Sequence, residues 1–217
     1  MSLALFDLDN TLLDGDSDYE WGNFLVSKKL VDAEEYEKAN IYFYEQYKQG
    51  TLDIVEFSAF SFKPLSLISR EELNNLHQEF MQTYILPRIK PQTPTVLNKH
   101  KNQGDTLVII TATNSFITRP IATHLGIEHL IATEPKIIDG KYTTEIEGIP
   151  CFQEGKVTRL NDWLKMNNDS MEGSYFYSDS INDLPLLEIV DTPIVVDPDE
   201  RLREVGTKRE WEITSLK

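Results

Sequence analysis

Two aspartates, Asp7 and Asp9, stand two positions apart at the end of the apolar segment Leu3–Phe6. Strand side chains at i and i+2 point the same way, so the segment predicts a buried strand that presents both carboxylates to one spot beyond its carboxyl end. Open parallel sheets bind ligands at that edge, and a divalent cation with oxygen ligands would offset the repulsion between the two charges. Taken alone, the pair could instead cap the next helix together with Asn10 and Thr11.

Two later residues have comparable placements. Thr111 comes directly after the apolar segment 106–110, where a hydroxyl and backbone N–H groups can grip a phosphate oxygen or simply cap a helix. Lys156 begins a helical pattern beside the small Gly155, and in isolation a surface lysine is its simplest interpretation. Neither residue identifies a function by itself.

A second acidic pair follows the apolar segment 174–177. Asp179 and Asp183 lie between this segment and another helical pattern, which repeats the arrangement around Asp7. One aspartate would suffice to cap the helix, and two at this spacing together with Asn182 exceed that requirement. The spacing therefore predicts further acidic side chains at the same edge of the sheet.

The elements that must position these residues alternate between strands and helices, which is typical of an α/β protein with a parallel sheet. The predicted strands cover residues 3–6, 106–110, 131–132, 174–177 and 193–196. Residues 17–87 interrupt the alternation, because they show helical periodicity and many aromatic residues but no convincing strand. We therefore predict a core of residues 1–16 and 88–217 and an inserted helical cap of residues 17–87, whose aromatic side chains mostly pack its own interior. Asp139-Gly140 predicts the turn of a small hairpin.

The composition narrows the functional class. The 217 residues carry a formal net charge of -15 without a basic cluster, which argues against binding to nucleic acid or to an anionic membrane. The apolar stretches are too short to span a bilayer. The single cysteine, Cys151, cannot form an intrachain disulfide, and the chain enters its first strand without a charged leader, so we expect a cytoplasmic location.

The four groups form one ordered pattern along the chain. It consists of DxDxT at residues 7–11, the strand-associated Thr111, Lys156, and DxxxD at residues 179–183. This pattern resembles the haloacid dehalogenase (HAD) superfamily over nearly the whole chain. The helical insert after the first motif and the stretch from Asp139 to Lys156 look like its subfamily IB, the phosphoserine phosphatase-like group. The resemblance implies a Rossmann-like parallel sheet core with an inserted helical cap.

The resemblance also implies a role for each motif. Asp7 would be the nucleophile that forms an aspartyl-phosphate, and Asp9 would be the general acid and base. Mg²⁺ would be held by Asp7, the backbone carbonyl of Asp9, and Asp179, while Asp183 would hold a metal-bound water or orient Lys156. The groups expected to neutralise or bind the phosphoryl group are Thr111, Lys156, the N–H of Ala112 and, as a lesser expectation, Asn182.

Two positions depart from the family pattern. Ser178 stands where the family often has glycine, and we expect little effect because serine is small. Ala112-Thr113 replaces a glycine pair of phosphoserine phosphatases. This difference leaves the identity of the substrate undetermined but does not affect the predicted reaction.

Acidic residues just after the first motif bear on the substrate. Asp16 lies nine positions after Asp7, where related phosphoserine phosphatases use an acid to hold the amine of the substrate. With Asp18 and Glu20 it would suit a cationic group such as that of histidinol phosphate, phosphoserine or phosphoethanolamine. The alternative is a solvated helix start favoured by the helix dipole.

The pattern thus predicts a Mg²⁺-dependent phosphatase that acts on a small phosphorylated metabolite, as a monomer or homodimer. A phospho-receiver module also phosphorylates an aspartate, but such modules are shorter and need neither Asp9 nor a cap. A non-catalytic binding or regulatory protein on the same fold is the second alternative. We would expect such a protein to have lost one of the four motifs, and all four are present.

Overall fold

A seven-stranded sheet forms the centre of the computed structural model, which describes residues 2–217. The strands are β1 (Leu3–Phe6), β2 (Thr106–Asn114), β3 (His129–Ile138), β4 (Lys141–Glu147), β5 (Tyr175–Ser178), β6 (Thr192–Val196) and β7 (Glu212–Thr214). Their order in the sheet is β4-β3-β2-β1-β5-β6-β7, and only the β3–β4 pair is antiparallel. The predicted α/β class with a mostly parallel sheet is therefore confirmed.

The helices connect these strands. They are α1 (Ser17–Ser27), α2 (Ala33–Gln49), α3 (Ile54–Leu67), α4 (Arg70–Phe80), α5 (Thr93–Gln103), α6 (Ser115–His124), α7 (Glu154–Asn167), α8 (Leu184–Leu187) and α9 (Glu200–Lys208). Short π and 3-10 turns cover Met81–Ile85, Leu86–Arg88 and Ile181–Asp183. Within residues 2–217, none of the helices combines the length and the apolar character that crossing a bilayer would require.

The apolar segment Leu3–Phe6 forms the central strand β1 of the sheet. All four residues of β1 are fully buried, since the strand lies between β2 and β5 and is covered on both faces. The predicted bounds of β1 are confirmed. The predicted hairpin is confirmed as well: Asp139 and Gly140 both have positive φ, 50° and 76°, and join β3 to β4.

The main differences between the predicted and observed strands concern β2, β3 and β7, while the bounds of β5 and β6 differ by one residue. β2 continues to Asn114 instead of ending at Ile110, with a shift of register in this last part. β3 extends well beyond the predicted residues 131–132. β7 was not predicted, because it lies at the edge of the sheet and its three residues contain no apolar run.

Residues 17–87 form helices and turns without a strand, as predicted. Each of the four long helices of this insert begins after a side chain that accepts hydrogen bonds from the first turn, namely Asp16, Asp32, Asp53 and Ser69. Leu13 and Ile89 form a single antiparallel bridge, so the chain enters and leaves the insert side by side. The division at residues 16/17 and 87/88 stays a prediction about domain organisation.

The aromatic residues of the insert pack partly outside it. The Trp21 ring lies 5.1 Å from Phe80 of α4 but also 5.4 Å from Phe116 of α6, which belongs to the predicted core. Phe43 of α2 packs instead on Phe57 of α3. The expectation that these side chains mostly pack the interior of the insert therefore holds for the contact between Phe43 and Phe57. It fails for Trp21, because α1 lies against α6, and α3 also packs on β4 of the predicted core.

Candidate active site

Asp7 lies directly beyond the end of β1, at the centre of the sheet. Its N–H donates to the carbonyl of Tyr177 in β5 over 2.9 Å, which extends the strand pairing by one residue and fixes Asp7 at the sheet edge. Its carboxylate accepts a hydrogen bond from Lys156 Nζ over 2.8 Å. Lys156 is therefore a buried partner of the predicted nucleophile and not a surface lysine.

Lys156 lies between two carboxylates. Its Nζ is 2.8 Å from Asp7 Oδ1 and 2.7 Å from Asp183 Oδ1, and its side chain is 3% exposed. Burial lowers the pKa of the Lys156 ammonium, but Asp183 and Asp7 outweigh this and raise the pKa above its ordinary range. Burial raises the pKa of Asp7 to about 6 against the opposing effect of Lys156. The ammonium therefore stays charged beside a carboxylate that titrates near neutral pH.

A close backbone approach positions Lys156 at the start of α7. A Cβ on Gly155 would lie 2.0 Å from the carbonyl oxygen of Pro150, so only glycine fits beside the lysine. Gln153, just before the helix, has φ 49° and ψ -122°, a conformation that costs about 1–3 kcal/mol and needs support from its surroundings. Part of that support is a 3.2 Å hydrogen bond from Gln153 Nε2 to Asn182 Oδ1.

The loop after β5 supplies Asp179 and Asp183. Both oxygens of Asp183 have donors, since Lys156 contacts Oδ1 and the Ser178 hydroxyl donates to Oδ2 over 2.7 Å. These contacts favour the second of its two predicted roles, orienting Lys156. They also give Ser178 a specific function where little effect of the serine was expected.

Asp179 and Asp7 meet at one hydroxyl. Thr11 Oγ1 lies 3.1 Å from Asp179 Oδ1 and 3.3 Å from Asp7 Oδ2. Burial, Asp7 and Asp183 raise the pKa of Asp179 well above its ordinary value. Two aspartates from the first and last motifs are thus brought together, as their positions after neighbouring strands predicted.

Asp9 has different partners from Asp7. Its Oδ1 accepts from the N–H of Ser17 over 2.7 Å, and its Oδ2 accepts from the Thr113 hydroxyl over 2.8 Å. Burial and the nearby Asp16 carboxylate raise the pKa of Asp9 to about 8, so it holds a proton at neutral pH. The two carboxylates of the opening pair therefore have separate donors and separate titration behaviour, although only one residue lies between them.

Thr111 lies inside β2, not after it. The predicted strand ended at residue 110, four residues before the end of β2, because the irregular last part of β2 contains small and polar residues that break the apolar run. The Thr111 hydroxyl accepts from the N–H of Thr113 over 3.2 Å, and Thr111 and Ala112 both line the cavity described below. Their phosphate-binding role stays a prediction.

A cavity of about 480 Å³ lies between the insert and this edge of the sheet. All four predicted catalytic residues line it, as do Asp16, Ala112, Asn182 and Asp183. Asp16 caps α1 by accepting hydrogen bonds from the N–H groups of Asp18 and Tyr19, so the alternative of a helix start is confirmed for this residue, while its side chain also borders the cavity.

Three contributors to the site were not identified from the sequence. Thr113 donates to Asp9, although it was noticed only as a departure from a glycine pair. Tyr47 of α2 donates to Ser180 over 2.9 Å across the cavity. Lys90, 1% exposed, lies 2.8 Å from Asp197 and donates to the carbonyl of Asn10 in the turn after the nucleophile. Each contact joins residues 80 or more positions apart, and no local pattern signals such pairs.

Comparison with known proteins agrees with this geometry. The profile of the haloacid dehalogenase-like hydrolases matches residues 4–188. A histidinol-phosphatase from Neisseria meningitidis serogroup C is 43% identical over all of this chain and 99% of its own length.

Two solved structures have a similar fold. A protein of unknown function from Bordetella pertussis superposes with a TM-score of 0.93 at 44% identity, over all of this chain and 99% of the other. A substrate-bound phosphoserine phosphatase superposes with a TM-score of 0.72 at 18% identity over 100% and 93% of the two chains, a likeness of fold alone. With its four motifs gathered at one cavity, the chain belongs to the haloacid dehalogenase-like hydrolases.

Proposed function

We propose that this protein is a Mg²⁺-dependent phosphomonoesterase that hydrolyses an amino-alcohol phosphate such as histidinol phosphate. The observation that carries the proposal is the buried contact of Asp7 with Lys156, 2.8 Å, on the wall of a cavity that Asp9 also lines. The name of the Neisseria relative supports both the activity and this substrate class.

The contacts suit a two-step displacement. Asp7 attacks phosphorus, so that a bond forms between its carboxylate oxygen and phosphorus while the bond to the substrate oxygen breaks. Asp9, protonated at neutral pH, gives its proton to the leaving oxygen. The resulting Asp9 carboxylate then takes a proton from the water that cleaves the aspartyl-phosphate and frees inorganic phosphate. Lys156 and Thr111 offset the negative charge of the transferring group.

The donor set fits Mg²⁺. Asp7 and Asp179 present oxygen atoms on either side of Thr11, and burial leaves both carboxylates with raised pKa values, which indicates a local shortage of positive charge. Among residues 2–217, no group of three or more His, Cys, Asp or Glu side chains is arranged to hold a metal by itself. We therefore assign Asp7, Asp179 and the backbone carbonyl of Asp9 as its ligands, with water completing the shell. When bound, the cation neutralises the phosphate and lowers the repulsion between it and the carboxylates.

The alternative of a non-catalytic protein on the same fold conflicts with the convergence of the motifs. Such a protein has no need to keep a desolvated lysine between two carboxylates, since a buried ion pair adds little to stability compared with apolar packing. From the sequence we retain the predictions of a cytoplasmic location and of a monomer or homodimer.

Phosphate release from histidinol phosphate and from p-nitrophenyl phosphate, with Mg²⁺ and after chelation, tests the proposal. We expect turnover of both substrates with Mg²⁺ and none after chelation. Asp7→Asn preserves the shape of the side chain and should abolish turnover while the circular dichroism spectrum stays unchanged. Turnover by the folded variant would refute the nucleophile assignment, and the absence of any turnover by the wild type would refute the activity.

A further inference from the structure

A buried lysine outside the cavity contacts the turn of residues 9–12, which directly follows the first strand and Asp7. Lys90, on the chain that returns from the insert, is 1% exposed and does not line the cavity. Its ammonium donates to the carbonyl of Asn10 and, over 2.8 Å, to Asp197 Oδ2. A buried ion pair stabilises a fold little compared with apolar packing, so stability alone does not explain a charge at this position.

Both residues that accept hydrogen bonds from Lys90 have a left-handed backbone. Asn10 has φ 56° and Asp197 has φ 44°, and they are two of seven residues other than glycine with positive φ among residues 2–217. Such conformations carry a conformational cost and persist where their surroundings hold them. One buried cation thus connects two backbone positions that need support.

Asn10 joins two peptide groups, and each of them is anchored by one contact. The N–H of Asn10, in the same planar group as the Asp9 carbonyl, donates to the carbonyl of Gly15 over 2.9 Å. The carbonyl of Asn10, in the same planar group as the Thr11 N–H, accepts from Lys90. Because the two torsions of Asn10 set the angle between these planes, the two contacts together fix its left-handed conformation.

The groups on either side of Asn10 belong to the proposed metal site. The Asp9 carbonyl is one of the assigned ligands. The Thr11 hydroxyl lies 3.3 Å from Asp7 Oδ2 and 3.1 Å from Asp179 Oδ1. A change in the torsions of Asn10 would therefore move both a ligand and the hydroxyl between the two acids.

Lys90 is itself fixed at both ends. Its own N–H donates to the carbonyl of Leu12 over 3.0 Å, so one residue holds two carbonyls of the same turn. At the other end, Asp197 Oδ2 also accepts from the N–H of Leu216 over 3.3 Å, and the N–H of Asp197 donates to the Thr214 carbonyl over 3.0 Å. The ammonium is therefore held in one place by the loop that follows β6.

We infer that Lys90 is a positioning residue for the metal site, which acts through the carbonyl of Asn10 by keeping the turn of residues 9–12 in its metal-binding conformation. The inference rests on the proposed function, because that proposal assigns the Asp9 carbonyl as a ligand of Mg²⁺. Lys90 is not a catalytic residue in this account, since its ammonium is committed to Asn10 and Asp197 outside the cavity.

Lys90→Met tests the inference, because methionine keeps an unbranched side chain of similar length and removes the ammonium. Without this contact the turn should occupy its binding conformation for only part of the time, and the apparent affinity falls by the same fraction. We expect the Kd of Mg²⁺, measured by calorimetry without substrate, to rise about tenfold, which corresponds to about 1.4 kcal/mol. An unchanged Kd in the folded variant would overturn the inference.

Activity provides a second measurement, which distinguishes a positioning residue from a catalytic one. For p-nitrophenyl phosphate, the Mg²⁺ concentration that gives the half-maximal rate should rise about tenfold in Lys90→Met. In saturating Mg²⁺, kcat should stay within about threefold of the wild-type value, since the bound cation selects the competent turn. A loss of kcat that excess Mg²⁺ does not restore would contradict the positioning role.

Two control variants separate positioning from general stability. Thr93→Val removes a buried 2.8 Å hydrogen bond from Thr93 Oγ1 to the Leu12 carbonyl at the same junction but leaves the Asn10 contact in place. It should lower the thermal midpoint while the Kd of Mg²⁺ changes less than about twofold. Lys99→Met, at an exposed position of α5, should change neither quantity. An equal rise in Kd for Thr93→Val and Lys90→Met would indicate a general loss of stability and overturn the inference.

A milder variant keeps the test open if Lys90→Met does not fold. Asp197→Asn preserves the shape of the side chain but removes the charge that holds the ammonium, so the Kd of Mg²⁺ should rise about threefold. An unchanged Kd in the folded Asp197→Asn variant counts against the inference.

Metal binding without substrate separates this inference from the proposed function. A weaker Mg²⁺ affinity of Lys90→Met supports the inference even if the wild type hydrolyses no phosphate ester. Equal affinities overturn it even if the wild type hydrolyses p-nitrophenyl phosphate. A wild type that binds no Mg²⁺ would refute the proposed cofactor and the inference together.

Discussion

Under the proposed mechanism, Asp7 and Asp9 divide the chemistry between two residues because their surroundings differ. Asp7 must be ionised to attack phosphorus, and its pKa of about 6 follows from burial opposed by Lys156. Asp9 must be protonated to assist the leaving group, and its pKa of about 8 follows from burial and Asp16. Pairs of carboxylates held apart in pKa in this way are typical of acid and nucleophile assignments.

The first prediction concerns pH. For an alkyl phosphate in saturating Mg²⁺, kcat/KM should fall above about pH 8, where Asp9 loses its proton. For p-nitrophenyl phosphate the alkaline fall should weaken, because its leaving group is stable as an anion and needs no proton. Profiles of the two substrates measured in one buffer series check this. Identical alkaline limbs would contradict the role of Asp9.

The second prediction distinguishes the two aspartates by the step at which the Asn variant of each one stops the reaction. Asp9→Asn keeps the nucleophile but removes the base for the second step, so p-nitrophenyl phosphate should give a burst of about one nitrophenolate per enzyme and then stop. Stopped-flow absorbance measures the burst. Asp7→Asn is the control and should show none, and steady turnover by the folded Asp9→Asn variant would exclude Asp9 as the base.

At the scale of elements, α2 closes the cavity by docking its last turn on the loop after β5. Tyr47 donates to the Ser180 hydroxyl over 2.9 Å, and Asn182 Nδ2 donates to the Tyr47 carbonyl over 3.2 Å. A third contact runs from Arg201 in α9 to the Lys48 carbonyl over 3.2 Å. The insert is thus attached to the same loop that carries Asp179, so its docking and the geometry of the site are coupled.

The third prediction follows from that docking. Tyr47→Phe removes one hydrogen bond of about 1 kcal/mol, so kcat/KM should fall about fivefold. The thermal midpoint should fall by no more than about 2–4 °C, since the ring stays in place and only this one hydrogen bond is lost. Steady-state kinetics on histidinol phosphate measure the loss. Tyr42→Phe is the control, because Tyr42 lies exposed on the same helix, and an equal effect of both variants would argue against the docking role.

The same elements show what the sequence could predict. β1 was delimited correctly, because a strand buried on both faces must be apolar throughout and the polar Asp7 marks its end. β7 was missed because an edge strand of three residues carries no such requirement. Motif residues could be found from local spacing, but the donors to Asp9 and Asn10 come from Thr113 and Lys90, whose proximity is created by folding alone.

At the scale of the whole molecule, negative charge predominates outside the site as well as within it. The formal net charge is -15, and Lys156 is the only cation among the described residues that line the cavity. Charges beyond about 8 Å are screened at physiological ionic strength, so the acids of the cavity dominate the local field. That field attracts cations and opposes a phosphate dianion, so under the proposed function a bound cation would lower the electrostatic barrier to substrate entry.

The last prediction links this cation to pH and stability. Asp7, Asp9 and Asp179 have raised pKa values, so without metal the native state binds more protons than the unfolded chain, and these groups reduce stability as pH rises from about 4 to about 8. Mg²⁺ requires Asp7 and Asp179 in the ionised form, so its stabilising effect should grow with pH. At a hundredfold excess over Kd this stabilisation amounts to about 2.7 kcal/mol, or about 5–10 °C at the usual 2–4 °C per kcal/mol for this size.

Differential scanning fluorimetry at pH 5 and pH 8, with Mg²⁺ or chelator, should show a clearly larger shift of the thermal midpoint at pH 8. Asp179→Asn should remove most of that shift, whereas Asp162→Asn, an exposed aspartate on α7, should leave it unchanged. An equal shift at both pH values would show that the cation does not bind through these carboxylates.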